Sequence, residues 1–226
     1  MPHRRQMSDR PSTRNLAALP PPKQLEQHWR GLAVLDAIME PDEDARVFSF
    51  EPARRNEGSF ATLRENDGNV VYGLFLPNGA AVLRGFHHDS PMNPFLHDAP
   101  TQWPGLVEGM PPSLLRHRDV TNVEPDEVTF VLWHEGRPKS KWQRGQQRFP
   151  KGADPDGSRE LLAQLTGDAR RSVAFAKCMY DRKLPLASVK RVLEGAPLDA
   201  QLISSLNPEG DVKQVLREAK AMGLKG

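Results

Sequence analysis

Residues 69–94 read NVVYGLFLPNGAAVLRGFHHDSPMNP, and they carry the strongest structural signal in the chain. Two apolar runs, 70–76 and 80–86, flank Asn78-Gly79, a pair that tolerates positive φ at both positions of a type I′ turn. The pattern predicts a β-hairpin with a two-residue loop. Because both faces of this hairpin are apolar, we expect it at the centre of an antiparallel sheet.

A two-residue loop also sets the register of the hairpin. It pairs Leu74 with Leu83 and places Tyr72 opposite Gly85. We expect the tyrosine ring to cover the bare glycine of the neighbouring strand.

The same register places Arg84 opposite Gly73, on a face that is otherwise apolar. A buried guanidinium needs a carboxylate or several carbonyl acceptors. Asp89 and Asp98 follow the strand and could supply the carboxylate. We therefore expect Arg84 to anchor the loop after the hairpin; a snorkelling arginine at a sheet edge is the alternative.

Other strands and helices are predicted from hydrophobic periodicity. Strand-like runs occur at residues 46–50, 59–65, 127–133 and 141–149. Helical patterns occur at 23–39, 158–166, 168–183, 186–194, 198–206 and 211–222, the last with Asp211 as N-cap. The sequence predicts an α+β protein in which an antiparallel sheet of about five or six strands carries a C-terminal helical layer.

The composition shifts along the chain and suggests three regions. Residues 1–22 are basic and proline-rich, and we interpret them as a disordered arm. Residues 23–150 hold the first helix and the sheet, including a proline-rich loop at 88–123 whose apolar residues indicate that it packs on the sheet. Residues 151–226 form the helical region.

Charge and cysteine content exclude several classes of protein. The 226 residues hold 31 basic and 29 acidic side chains, a net charge of +2, which makes nucleic acid an unlikely main partner. The single cysteine, Cys178, excludes an intramolecular disulfide, fits a reducing compartment, and is predicted to lie in the core. Without an apolar run near 18 residues, we expect a cytoplasmic protein with no membrane span, and no motif indicates a cofactor.

Histidines and aspartates after the hairpin form the candidate site. His87, His88, Asp89 and His117 could perform acid–base chemistry, and His87, His88 and His97 could bind a divalent metal. In an extended segment His87 and His88 point to opposite sides, so only one would join His97 or His117 unless the loop bends there. The alternative is that these histidines hydrogen-bond to loop carbonyls.

Aromatic residues could form a binding surface beside Arg84. Trp103 lies in Trp103-Pro104-Gly105, and Trp133 ends a predicted strand. Packing of the long loop against the sheet is the commoner role for such residues, and both interpretations remain open at this point.

Three short stretches together resemble a family of bacterial proteins of unknown function and similar length. They are Arg84-Gly85-Phe86-His87-His88-Asp89-Ser90 with Met92 and Pro94, Trp103-Pro104-Gly105-Leu106, and Val131-Leu132-Trp133. The family has an acidic residue where this chain has His87. The resemblance spans roughly residues 70–207 and implies a bacterial cytosolic protein, but it assigns no activity to any residue.

Two functions follow as hypotheses. The first is non-enzymatic binding of another protein, as in immunity or antitoxin proteins, because catalytic motifs are lacking and the long aromatic loop could present an interface. The second is a hydrolase-like enzyme that uses the histidine and aspartate cluster, with or without one divalent metal.

Overall fold

The structure is a computed structural model, and it describes residues 10–53, 58–96, 100–117 and 127–224. Its centre is a six-stranded sheet in which each strand pairs with the next along the chain, always antiparallel. The strands are β1 (Phe48–Glu51), β2 (Ser59–Arg64), β3 (Val70–Phe75), β4 (Ala81–Phe86), β5 (Phe130–His134) and β6 (Gln143–Arg144). This meander with added helices confirms the predicted α+β class.

The loop of the β3–β4 hairpin has three residues, so the predicted register is wrong by one. The N–H of Leu76 donates to the carbonyl of Ala80 at 2.8 Å, and Gly79 has a φ of +82°. A two-residue loop would require Pro77 to donate a backbone hydrogen bond to Ala80, and proline has no N–H. Pro77 instead lies inside the loop, and Gly79 takes the left-handed position that closes it.

The shifted register changes the neighbours of both strand glycines. Gly85 pairs with Val71 on one side and Phe130 on the other. A Cβ atom at Gly85 would overlap the Phe130 ring, so Phe130, and not Tyr72, covers this glycine. Gly73 likewise makes room for the indole of Trp29.

The described residues form seven α-helices, six of which cover one face of the sheet, which we call the inner face, while the short second helix lies on the opposite face. They are α1 (Pro22–Met39), α2 (Pro112–Leu115), α3 (Ser158–Gln164), α4 (Ala169–Tyr180), α5 (Leu186–Leu193), α6 (Ala200–Leu206) and α7 (Val212–Ala221), of which α2 alone belongs to the proline-rich loop. The N-caps Asp168, Asp199 and Asp211 each accept a hydrogen bond from the first turn of their helix. The five predicted C-terminal helices and the cap at Asp211 are therefore confirmed.

Helix α1 connects the sheet to the C-terminal helices. Trp29 is fully buried, and its indole N–H donates to the carbonyl of Thr62 at 3.0 Å. On its other side Gly31 lies against Leu193, and Asn207 donates to the carbonyl of Ile38 at 2.7 Å. One hydrophobic core thus joins α1, the inner face and the helices after residue 157.

The proline-rich loop covers part of the opposite, outer face, as predicted. Its buried side chains are Met92, Leu106, Met110 and Leu114, and they pack on Val82, Val131 and Trp133. The indole N–H of Trp103 donates to the carbonyl of Arg148 at 3.0 Å. This second core holds residues 100–115 on β4 and β5.

The N-terminal segment contradicts the disordered arm predicted for 1–22, at least from residue 10 onward; residues 1–9 lie outside the described residues. Pro11, Ser12 and Thr13 are buried. The Thr13 hydroxyl donates to the buried carboxyl of Asp156, and the Thr13 N–H donates to the Ser158 hydroxyl at 3.0 Å. The segment that follows Arg10 lacks apolar periodicity, and hydrogen bonds to residues 156 and 158, far along the chain, hold it in place.

Candidate functional site

His87 and His88 lie side by side where β4 leaves the sheet. The chain turns there, since the N–H of Ser90 donates to the carbonyl of His87 at 3.1 Å. The two rings are stacked with centroids 5.5 Å apart and an interplanar angle of 6°. The extended segment in which they would point to opposite sides ends at Phe86, and the bend after it is the condition under which both rings can lie together.

Hydrogen bonds fix the tautomer of His88. The amide nitrogen of Asn69 donates to Glu65 and Asp67, so its Oδ1 is the atom that accepts from the His88 backbone N–H and faces His88 Nδ1, both at 2.9 Å. An amide oxygen only accepts, so Nδ1 carries the proton. Nε2 lies 3.2 Å from Asp89 Oδ2, an arrangement that is attractive when His88 is an imidazolium.

His87 is the more enclosed ring of the pair. Its side chain is 12% exposed, and Nε2 lies 3.5 Å from Glu160 Oε2 on α3. Gly157, with a φ of +71°, lets the backbone approach the ring so closely that a Cβ there would overlap it. Nδ1 of His87 is buried with no hydrogen-bond partner in the structure.

The carboxylates around the two rings are exposed. Side-chain exposure is 52% for Asp67, 78% for Asp89 and 69% for Glu160. With Glu65, which accepts from Gln164 at 2.7 Å, they form what we call the acidic corner. Asn69, Asp67, Glu65 and Glu160 were missed by sequence reasoning, because they come from two segments, the β2–β3 loop and α3, that lie far from the histidines in the sequence.

His117 shares no described contact with this pair. It follows α2, and its Nε2 accepts a hydrogen bond from Arg116 Nε at 3.4 Å. Burial and then the charge of Arg116 lower the pKa of His117. His97 lies outside the described residues, and within the described ranges no group of three His, Cys, Asp or Glu side chains is placed to hold a metal ion.

Arg84 is buried, as predicted, but it lies on the outer face. It is 2% exposed and pairs with Tyr72 and Val131, not with Gly73. Asp89, one of the two predicted carboxylate partners, contacts His88. The other, Asp98, lies outside the described residues, so the anchoring role of Arg84 stays a prediction.

The predicted aromatic binding residues are packing residues in the structure. Trp133 is 1% exposed in the core beneath the loop, and Trp103 packs against the same cluster. The interpretation of Trp133 as part of an accessible surface is therefore wrong. Cys178 was predicted to lie in the core, and this prediction was wrong, because its side chain is exposed on α4.

A different set of apolar residues, three of them half-buried on the outer face and two exposed, lies beyond the buried cluster under the loop. We call it the outer aromatic patch, and it consists of Phe60, Tyr72, Phe86, Phe95 and Leu96. The Phe60 and Tyr72 rings stack at 6.0 Å, and Phe95 meets Phe86 edge to face at 5.8 Å. Phe95 is 49% exposed and Leu96 60%, which is high for large apolar side chains.

The acidic corner adjoins this patch. Asn93 donates to the carbonyl of His88 at 2.8 Å and accepts from the N–H of Phe95 at 2.9 Å, so one amide connects the histidine turn to the exposed Phe95-Leu96 step. Alternation in β2 was the sequence signal for this surface, because it turns Phe60 away from the core together with Thr62.

Comparisons with protein-family models, with curated proteins and with solved structures found no match. Within the described residues, none of the helices combines the length and apolar character required to cross a bilayer.

Proposed function

We propose that this protein acts by binding a partner protein through the outer aromatic patch, without catalysis. The observation that carries the proposal is the exposure of Phe95 and Leu96, with Phe95 in contact with the half-buried Phe86 at the end of β4. Large apolar groups that contact each other at the surface mark interaction sites. A role of the immunity or antitoxin kind, in the bacterial cytoplasm, is the form of binding that we propose.

The charge beside the patch defines the partner. Asp67, Asp89 and Glu160 present carboxylates to solvent around His87 and His88, which directly follow Phe86 in the chain. The surface therefore suits a partner segment that has apolar side chains flanked by lysine or arginine. Apolar contacts would contribute most of the affinity, and the carboxylates would contribute the rate of association and the orientation.

The test compares the exposed pair Phe95 and Leu96 with a third exposed apolar residue, Met179. The full chain captures partners from its host, and the recovered protein is purified and titrated against variants by calorimetry. Phe95→Ser/Leu96→Ser should weaken binding at least about tenfold, since central apolar contacts are worth about 2 kcal/mol or more. Met179→Ser, at a 40% exposed methionine on α4, is the matched control and should bind normally.

A charge variant tests the chemistry of the partner. Asp89→Lys should slow association and reduce its dependence on salt, whereas Phe95→Ser should mainly speed dissociation. A partner that binds all variants equally would refute the proposal that the outer aromatic patch is the binding surface. A chain that forms dimers until Phe95 and Leu96 are replaced would identify the patch as a self-association surface and would also contradict the proposal.

The stacked histidines support a second, weaker candidate, a hydrolase-like enzyme. The observation that favours an enzyme is Nδ1 of His87, which is buried without a hydrogen-bond partner among the described residues. Such a nitrogen can exchange a proton with a substrate or bind a metal ion. Enzymes bind substrates in concave sites, but four cavities among the described residues are lined by residues other than His87 and His88. This makes the enzyme the weaker candidate. Elemental analysis of untagged protein, with a hydrolase screen of His87→Asn beside the unchanged chain, tests this candidate.

A further inference from the structure

A cavity of about 590 Å³ lies where the N-terminal segment meets the start of α4, and it shares no residue with the outer aromatic patch. Small apolar side chains form part of its wall: Pro11, Ala18, Ala163 and Ala174. Its charged lining consists of Arg10, Asp168, Arg170 and Arg171. This volume is within the range of small-molecule sites, about 300–1,000 Å³.

The cavity has an excess of positive charge. Asp168 Oδ2 lies 3.6 Å from Arg171 Nε, while Oδ1 accepts from the N–H of Arg170 at 2.9 Å. Three guanidinium groups and one carboxylate leave two positive charges in excess among these lining residues. Arg10 and Arg170 are exposed, so both remain available to a ligand that enters from solvent.

The position of two of these arginines opposes the local preference of a helix. Arg170 and Arg171 lie in the first turn of α4, where the positive end of the helix dipole disfavours cations. Asp168 offsets the charge of Arg171, but no described ion pair offsets that of Arg170, and natural proteins break such local rules mainly at functional sites. A bound anion would make both the dipole and the arginines favourable.

The third arginine comes from a different segment, which is held in place. Thr13 contacts Asp156 and Ser158, and all three are buried, while the carbonyl of Arg10 accepts from the side-chain amide of Asn15 at 3.0 Å. These contacts hold the segment that begins at Arg10 against the protein. Ordering this polar segment costs conformational entropy. A binding site that requires Arg10 would explain why the segment is ordered despite that cost.

We propose that this cavity binds a phosphorylated small molecule. Its phosphate lies between the guanidinium groups of Arg10, Arg170 and Arg171, and the rest of the ligand contacts the small apolar wall. Guanidinium groups suit this chemistry because each donates two parallel hydrogen bonds to phosphate oxygens. The concave shape favours a small ligand over a nucleic acid backbone, which would need an extended basic track.

The experiment titrates the full chain with inorganic pyrophosphate and inorganic phosphate by calorimetry, at constant ionic strength set with chloride. Pyrophosphate should bind saturably and more tightly than phosphate. Arg10→Gln, Arg170→Gln and Arg171→Gln should each weaken pyrophosphate binding at least about tenfold, as expected for loss of a charge-assisted contact. Arg217→Gln, at an exposed arginine of α7 outside the cavity, is the matched control and should bind normally.

Three outcomes would overturn the proposal. The first is no saturable binding of pyrophosphate below about 1 mM. The second is an equal loss in Arg217→Gln, which would show attraction to net charge alone. The third is tight binding of a single-stranded oligonucleotide that all four variants weaken equally, which would indicate a nucleic acid surface.

Discussion

Asp36 connects α1 to the first strand, and its buried carboxyl group predicts how stability depends on pH. The residue is 1% exposed, and its Oδ2 accepts from the N–H groups of Val47 and Phe48 at 2.9 and 2.8 Å. Burial raises the pKa of Asp36 from 3.8 to about 7, against the opposing effects of those donors and of Tyr180 and Arg46. The folded protein therefore holds a proton that the unfolded chain loses in acid.

Replacement of Asp36 by asparagine should remove this pH dependence. Because the folded-state pKa is the higher one, the proton's contribution to stability is complete below about pH 4 and is lost as the pH rises to about 7. The two pKa values predict a loss of about 2.5 kcal/mol between pH 5 and pH 8 in the unchanged protein. Asparagine keeps an oxygen for both backbone donors and does not ionise, so Asp36→Asn should become more stable relative to the parent by that amount.

Urea unfolding of both proteins at several pH values between 5 and 8 measures the difference directly. Asp44→Asn, at an exposed carboxylate near the end of the same helix, is the control and should run parallel to the parent. A constant difference between Asp36→Asn and the parent would show that Asp36 ionises normally in the folded state. A difference that shrinks with pH would refute the reasoning altogether.

Substitutions at three further positions test the packing by urea midpoints at unchanged slope. Gly85→Ala should cost about 2–3 kcal/mol, because its methyl group overlaps the Phe130 ring; a loss under about 0.5 kcal/mol would contradict that close contact. Thr13→Val removes a donor to buried Asp156, so it should cost about 1–3 kcal/mol and speed proteolysis before residue 20. Unchanged proteolysis would show that this hydrogen bond does not hold the N-terminal segment on the protein. Arg84→Ala should cost about 2–4 kcal/mol and Arg84→Lys should recover part of it; equal, small losses would reject the anchor.

Local pattern was sufficient for most elements of this fold. The runs that flank residues 77–79 predicted the central strands, and helical periodicity with capping residues predicted the C-terminal helices near their observed bounds. These signals work because strand and helix periods follow from local backbone geometry. The hairpin register was also readable in principle, since Pro77 lacks the donor that a two-residue loop requires.

The candidate site could not be predicted to the same extent. The sequence indicated His87 and His88, but not that a turn stacks them or that Asn69 orients one of them. Trp133 is buried and Phe95 is exposed, because the area that the proline-rich loop covers is a property of three-dimensional packing. An aromatic residue is buried or exposed according to what folds over it, and local pattern contains little of that information.

The sequence by itself determined the class of fold, the antiparallel hairpin at its centre and the order of helices, all of which depend on short-range periodicity and turn chemistry. Only the tertiary structure decided what lies between distant segments. The Thr13 hydroxyl donates to Asp156, which lies 143 positions further along the chain. Arg10 and Arg170 line the same cavity. Hydrogen bonds and charges of this kind depend on the positions of a few atoms, and no periodic pattern in the sequence encodes them.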